Sequence, residues 1–166
     1  QAYIDLSINP EIAECIIEHI KHYFLEYNER VFKAANGKID IFMMGDDFGT
    51  QHTLMMSADM WRHFFKPGFK AYIELAHKYG IKTMHHTCGS VVDLIPEFID
   101  CGLDILQSLQ PRAKGMDLKK LKQEYGRDLC FHGGMDIQHT LPNGTPAEVR
   151  EMVKTQIEKG KPGGGY

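Results

Sequence analysis

The strongest constraint on the fold is an alternation of short apolar runs with amphipathic helix patterns. After a first helix pattern over about residues 10–35, strand and helix signals follow each other four times. Such alternation predicts a parallel sheet with right-handed crossovers. It fits a doubly wound sheet or part of a (βα)8 barrel, and the pattern itself leaves both open. The four predicted strands cover residues 39–44, 81–86, 103–110 and 129–132.

Helix boundaries follow from proline and capping residues. Pro67 lies inside the second helix and predicts a kink or two abutting helices. Ser90 and Asp93 have the spacing of a capping box at the start of the third helix. Thr145 and Glu148 have the same spacing, with a proline at the first helical position, and predict the start of the last helix.

The first predicted strand leads into two adjacent carboxylates. Its nearly continuous apolar run favours a strand buried on both faces. Asp46 and Asp47 follow at its tip, where two carboxylates are costly unless they are solvated, paired or used. An ordinary loop turn is the alternative, because Asp and Gly are common in turns.

Polar residues follow the other strands at the same position. In a barrel the carboxyl ends of the strands converge on one face, where active sites are built. Four polar strand ends therefore predict a site on that face, although turn geometry alone also explains the glycines after the fourth strand. These residues are Asp46, Asp47 and Gln51, then His86 and Cys88, then Gln107 and Gln110, and finally His132, Gly133, Gly134 and Asp136.

His86 and Cys88 are candidate metal ligands. In an extended backbone, side chains two positions apart point to the same face, so these two converge while His85 points away. A catalytic zinc centre takes three protein ligands, so the pair alone does not complete a site. The alternative is a buried histidine packed beside a buried thiol.

Composition excludes several classes of protein. The 166 residues suit one domain, with 43% hydrophobic and 25% charged residues. A net charge of −3 gives no reason to expect a nucleic acid or an anionic membrane as partner. No apolar stretch is long enough to span a bilayer. Four cysteines without a CxxC pair predict reduced thiols and a cytoplasmic location.

Five motifs resemble those of the uroporphyrinogen decarboxylase superfamily, in the same order and at similar spacing. The resemblance covers about residues 39–166 and implies a (βα)8 barrel. This chain, residues 1–166, would be a fragment of one such domain: its C-terminal half, with about four βα units and without the last. The motifs are Gly45-Asp46-Asp47-Phe48-Gly49, His86-Thr87-Cys88-Gly89, Gly102-Leu103-Asp104-Ile105-Leu106, Gly133-Gly134-Met135-Asp136 and Gly163-Gly164-Gly165-Tyr166.

The superfamily has two main branches. One decarboxylates the acetate arms of uroporphyrinogen without a cofactor. The other moves methyl groups between a corrinoid and a thiol, with zinc held by a His-x-Cys motif and a later cysteine. His86 and Cys88 match that motif, so the resemblance implies a zinc methyltransferase, a partner corrinoid protein as methyl donor and a small-molecule thiol as acceptor. The later cysteine would lie beyond residue 166, so we expect the fragment itself to be inactive.

The remaining strand-end residues are assigned roles by position. Three carboxylates are predicted to be catalytic, by orienting His86 or acting as weak extra ligands: Asp46, Asp47 and Asp136. Substrate binding is predicted for Gln51, Gln110, Gly133 and Gly134. The alternatives are a cofactor-free uroporphyrinogen decarboxylase and a non-catalytic, barrel-fold binding module. Because half a barrel has open sheet edges, we also expect self-association.

Overall fold

A four-stranded parallel sheet forms the centre of the structure. The computed structural model describes residues 2–166, in which each strand pairs with the next one along the chain. This order runs without the reversal of a doubly wound sheet, as it does in an arc of a (βα)8 barrel. The predicted fold class, a partial barrel of four βα units, is confirmed. The strands are β1 (Ile41–Gly45), β2 (Lys82–His86), β3 (Ile105–Ser108) and β4 (Cys130–Gly133).

Helices connect the strands and cover one face of the sheet. A 3-10 turn at Val92–Leu94 precedes the helix between β2 and β3. No helix of residues 2–166 is long and apolar enough to cross a membrane. The helices are α1 (Ala2–Ile8), α2 (Pro10–Ala35), α3 (Ala58–Phe64), α4 (Lys66–Lys78), α5 (Ile95–Asp100), α6 (Leu118–Tyr125), α7 (Thr140–Asn143) and α8 (Pro146–Gly160).

Two of the three boundary predictions are confirmed. The chain breaks between α3 and α4 at Phe65, two residues before Pro67, so two abutting helices replace a single long one. Thr145 and Glu148 form the capping box of α8, in which the Thr145 hydroxyl accepts from the Glu148 amide and the Glu148 carboxylate accepts from the Thr145 amide. Proline and a reciprocal cap act within one turn, so local sequence is enough to predict them.

The capping box predicted at Ser90 and Asp93 is wrong. The residue at the start of the 3-10 turn is Val91, and it makes no side-chain cap hydrogen bond. The Ser90 hydroxyl instead donates to the carbonyl of Lys114, at 2.7 Å, in a loop 24 residues away. The Ser90 hydroxyl therefore makes a tertiary contact in place of the helix cap that the local motif predicts.

The burial predicted for β1 is also wrong. Its residues alternate, with Ile41 46% and Met43 54% exposed, whereas Phe42 and Met44 between them are half-buried. Phe42 packs with Phe32 of α2 and Met44 packs against the main core. Helices cover only that face of the strand, and an apolar run cannot reveal that the opposite face is open.

An aromatic core surrounds β2 on the face that the helices cover. His85 is 1% exposed and lies among three phenylalanine rings. Phe48 stacks on it at 5.6 Å, and Phe69 and Phe98 meet it edge-on at 4.9 and 5.4 Å. Trp61, which is fully buried, packs edge-on against the same three phenylalanines. His85 of β2 is thus held in a closely packed aromatic environment.

A network of charges around Asp104 joins the elements at the amino end of the sheet. The Asp104 carboxylate accepts from Lys82 and His77, both at 2.7 Å, and from the amide and hydroxyl of Thr83 at 2.9 and 3.0 Å. These donors come from α4 and β2, while Asp104 immediately precedes β3. Burial alone would raise the pKa of Asp104, but these hydrogen bonds outweigh it and lower the pKa to about 2.

Candidate metal centre

Three side chains converge at the carboxyl ends of β1 and β2. The donor atoms of Asp47, His86 and Cys88 all lie within 4.8 Å of one another. The Sγ of Cys88 is 3.5 Å from Nε2 of His86, and that Nε2 is 3.7 Å from Oδ1 of Asp47. The predicted pairing of His86 and Cys88 on one face, with His85 on the other, agrees with this geometry.

The spacing of these donors fits a zinc ion. Tetrahedral zinc with bonds of about 2.0–2.3 Å to nitrogen, sulfur and oxygen places its ligand atoms about 3.4–3.6 Å apart. The nitrogen–sulfur distance of 3.5 Å already has this value, and the nitrogen–oxygen distance of 3.7 Å needs only a small contraction. Imidazole, thiolate and carboxylate are all usual zinc ligands. The donor set is therefore suited to zinc in its chemistry and in the two distances from Nε2 of His86 to its neighbours.

Backbone contacts hold Asp47 beside β2. In the strand register Gly45 lies opposite His86, and the amide of Asp46 donates to the His86 carbonyl at 3.1 Å. The Asp47 carboxylate then accepts from the amide of Cys88 at 2.8 Å. The carboxylate is thus positioned by the same residue whose thiol it approaches.

Two glycines let the loops after β1 and β2 touch. Gly89 has φ +81°, and a Cβ on it would lie 2.4 Å from the carbonyl oxygen of Gly49. A Cβ on Gly49 would in turn lie 2.8 Å from the carbonyl oxygen of Cys88. Only glycine allows this approach at both positions. The close contact explains why glycine occurs two residues after Asp47 and directly after Cys88.

Gln107 sets the tautomer of His86. It lies opposite His86 in the β2–β3 register, and its side-chain oxygen accepts a hydrogen bond from Nδ1 of His86. With the proton on Nδ1, the lone pair of Nε2 faces Cys88 and Asp47. Metal-binding histidines are usually oriented in this way by a partner on the second nitrogen. The sequence predicts Gln107 at the end of a strand and assigns it no role. Its contact with His86 depends on strand register, which a local pattern does not encode.

The surroundings of Cys88 favour the neutral thiol when no cation is bound. Burial raises the pKa of Cys88, a weak hydrogen bond from Ser108 at 3.9 Å opposes this, and the negative charge of Asp47 raises the pKa further. A coordinated divalent cation reverses this balance and deprotonates a thiol. The side chains of His86 and Asp47 are 36% and 51% exposed, so an ion or a substrate can reach the cluster.

Asp46 lies apart from the three converging residues. It lines a cavity between the sheet and the helices. Desolvation, and then the charge of Asp47, raises the pKa of Asp46. Its catalytic role stays a prediction.

The two glutamines predicted to bind substrate lie next to the Cys88 loop. The side-chain amide of Gln51 donates to the side-chain oxygen of Gln110 at 2.7 Å. That oxygen also accepts from the amide of Gly89, at 3.2 Å. Gln110 therefore supports the loop that carries Cys88, and substrate binding by this pair stays a prediction.

The predicted residues at the end of β4 and in the loop after it form a separate group. The Asp136 carboxylate accepts from the amides of Gln138, His139 and Thr140 at 3.0–3.3 Å and so caps its own loop. Those bonds outweigh the desolvation that opposes them and lower the pKa of Asp136. Gly134 donates its amide to Ser108 at 3.0 Å, and Gly133 accepts at 2.8 Å from the hydroxyl of Tyr166. The roles predicted for Asp136, Gly133 and Gly134 stay predictions.

Fold and site together define a class of protein: a parallel βα protein of barrel type, with a candidate metal centre at the carboxyl ends of its strands. The sequence model of the uroporphyrinogen decarboxylase (URO-D) family matches residues 2–166. The chain belongs to this family, and the predicted superfamily is confirmed.

A curated relative also matches. It is a methylated-thiol–coenzyme M methyltransferase from Methanosarcina mazei, 24% identical over 152 residues. The alignment covers 92% of this chain and 38% of the relative, so the chain spans less than half of that protein's length. No solved structure matches this chain.

Proposed function

We propose that the protein carrying this chain transfers a methyl group from a corrinoid to a thiol at a zinc centre held by His86 and Cys88. The observation that carries the proposal is the convergence of Asp47, His86 and Cys88 within 4.8 Å at the carboxyl ends of parallel strands. Family membership and the name of the methyltransferase relative support it. The proposal includes a corrinoid protein as donor partner, a small-molecule thiol as acceptor and a cytoplasmic location.

Each residue of the cluster has a part in this proposal. Nε2 of His86 and Sγ of Cys88 bind the ion, and Gln107 keeps the His86 proton on Nδ1. Asp47 supplies a third donor from within the chain and retains its hydrogen bond to the Cys88 amide. Bound zinc would supply a Lewis acid that holds the acceptor thiol as a thiolate, which is the nucleophilic form.

The cluster also separates this proposal from its alternatives. A cofactor-free decarboxylase has no need of imidazole and thiol donors at zinc spacing, and it would convert uroporphyrinogen with its metal removed. A non-catalytic binding module would keep its biological role in His86→Ala and Cys88→Ser variants. The methyltransferase proposal requires both residues and the metal.

The first experiment measures zinc by elemental analysis after dialysis. In the protein that carries this chain we expect about one zinc ion per molecule. In its Cys88→Ser variant, which loses a thiolate ligand, we expect less than about a tenth of that zinc content. Cys15→Ser is the matched control, because Cys15 is exposed on α2, and it should keep its zinc. Absence of zinc from the unchanged protein, or its retention in Cys88→Ser, would contradict the metal site.

The second experiment tests the reaction. The protein that carries this sequence is incubated with methylcobalamin and a small thiol, and the loss of the methyl group is followed from the corrinoid spectrum. We expect demethylation that is lost in His86→Ala and after chelation. Zinc binding without demethylation would support the metal site and contradict the proposed methyl transfer.

A further inference from the structure

A cavity of about 530 Å³ lies between the sheet and its covering helices. It opens between α2 and α4 and reaches the helix-facing sides of β1 and β2. The candidate metal centre lies on the opposite side of β2. Binding pockets for small molecules commonly have volumes of roughly 300–1,000 Å³ and mostly apolar walls. The walls here are mainly aromatic and aliphatic, and Phe48, Phe69 and Tyr72 are among the rings that form them.

His85 supplies an unused polar group to this cavity. It is among the residues around the cavity, is 1% exposed, and neither of its ring nitrogens has a hydrogen-bond partner among the described residues. Both nitrogens are enclosed, so a ligand hydroxyl would reach one of them through a shift of the surrounding phenylalanine rings. Leaving a buried polar group without a partner costs about 1–3 kcal/mol, so buried imidazoles are normally paired. The candidate metal centre contains the next residue, His86. His85 has no role in the proposed reaction.

The charges around the cavity select a neutral ligand. Lys21 of α2, which is ion-paired with Glu18, and Asp46 at the tip of β1 both line it. An anion would meet Asp46 and a cation would meet Lys21. A neutral molecule with a flat apolar body and one hydroxyl would avoid both repulsions, and the hydroxyl would pair with an imidazole nitrogen.

We propose that this cavity binds a neutral aromatic alcohol of the phenol class, with the ring between the aromatic walls and the hydroxyl donating to His85. The site lies apart from the candidate metal centre. It requires no metal ion and no catalytic step.

Calorimetry with phenol, compared with toluene, tests the hydroxyl contact. We expect phenol to bind once per chain and at least about tenfold more tightly than toluene, because toluene cannot donate to His85. In His85→Phe, which keeps an aromatic ring, phenol affinity should fall to that of toluene. Toluene affinity should stay within about twofold of its value for the unchanged protein. Absence of saturable phenol binding, or an equal loss for both ligands, would overturn the proposal.

Two measurements on the unchanged protein keep the test independent of how His85→Phe folds. Trp61 is the single tryptophan and packs edge-on against Phe48 and Phe69, at 5.9 and 5.6 Å, so its fluorescence should respond to phenol. The imidazole nitrogen resonances of His85 should shift with the same saturation curve. A Trp61 response without a shift at His85 would refute the contact. Both measurements are made on metal-free protein, so their result is separate from that of the zinc experiments.

Discussion

Substitution of Asp104 by asparagine should destabilise the fold by removing the charge at the centre of the network at the amino end of the sheet. The side chain is 16% exposed and receives hydrogen bonds from Lys82, His77 and Thr83. Asparagine keeps the shape and one acceptor oxygen but loses the negative charge. The change lies at the opposite end of the strands from Cys88, so the affinity of the folded protein for zinc should not change.

The pKa of Asp104 sets the size of the effect. Its decrease from 3.8 in the unfolded chain to about 2 in the folded protein corresponds to about 2.4 kcal/mol at neutral pH. The Lys82 side chain is 68% exposed, so solvent screening makes this figure an upper value. Because the folded pKa is the lower one, the stabilisation is present above pH 3.8 and is lost as pH falls toward 2. Linkage gives about 2.4 kcal/mol at pH 5 and about 1.3 kcal/mol at pH 3.

Urea unfolding followed by the fluorescence of Trp61 measures this difference. Unfolding free energies of the unchanged protein and of Asp104→Asn are compared at pH 7, 5 and 3. The exposed Asp128 provides the control, and Asp128→Asn should change stability by less than about 0.5 kcal/mol. A difference for Asp104→Asn that stays constant from pH 7 to pH 3, or one below about 0.5 kcal/mol at pH 7, would refute the electrostatic explanation.

Four further substitutions test the site and the fold. Gln107→Leu should weaken zinc binding by about 10–100-fold in a chelator competition, because His86 loses the acceptor for its second nitrogen; unchanged affinity would argue against that orientation. Gly89→Ala should cost more than about 3 kcal/mol in urea unfolding and remove zinc, since its Cβ would lie 2.4 Å from a carbonyl oxygen. Gly37→Ala, with φ +78° and open space around its Cβ, should cost only about 1–2 kcal/mol; equal costs would show that backbone angle alone matters. Thr145→Ala should cost about 1 kcal/mol through loss of the α8 cap, and no loss of stability would contradict the capping box.

Local signals predicted the element types and their order. The strand–helix alternation, Pro67 and the capping box at Thr145 each act within a few residues, where sequence pattern and backbone geometry are directly related. The parallel order then follows from the crossovers. The alternation of side chains along β2 likewise predicted that His86 and Cys88 share a face while His85 lies on the other.

Features that depend on distant contacts were not predictable. Asp46 and Asp47 are adjacent, yet one lines a cavity and the other approaches Cys88, because the chain turns between them at the end of β1. The Ser90 hydroxyl bonds to a distant carbonyl, which no local motif encodes. Gln107 acquires its role only through its register with His86. Short-range patterns identify the residue types of the site, and the tertiary fold decides which of them meet.

The aromatic packing around His85 has a consequence for genetic screens. Phe69 and Phe98 pack edge-on against His85, so we expect them to restrain the orientation of the strand that also carries His86. A selection for variants that do not bind the proposed zinc ion should therefore recover changes at these two phenylalanines alongside changes at His86 and Cys88. Such variants would resemble substitutions of His86 or Cys88 in phenotype, although the altered rings lie on the far side of the strand from the candidate metal centre.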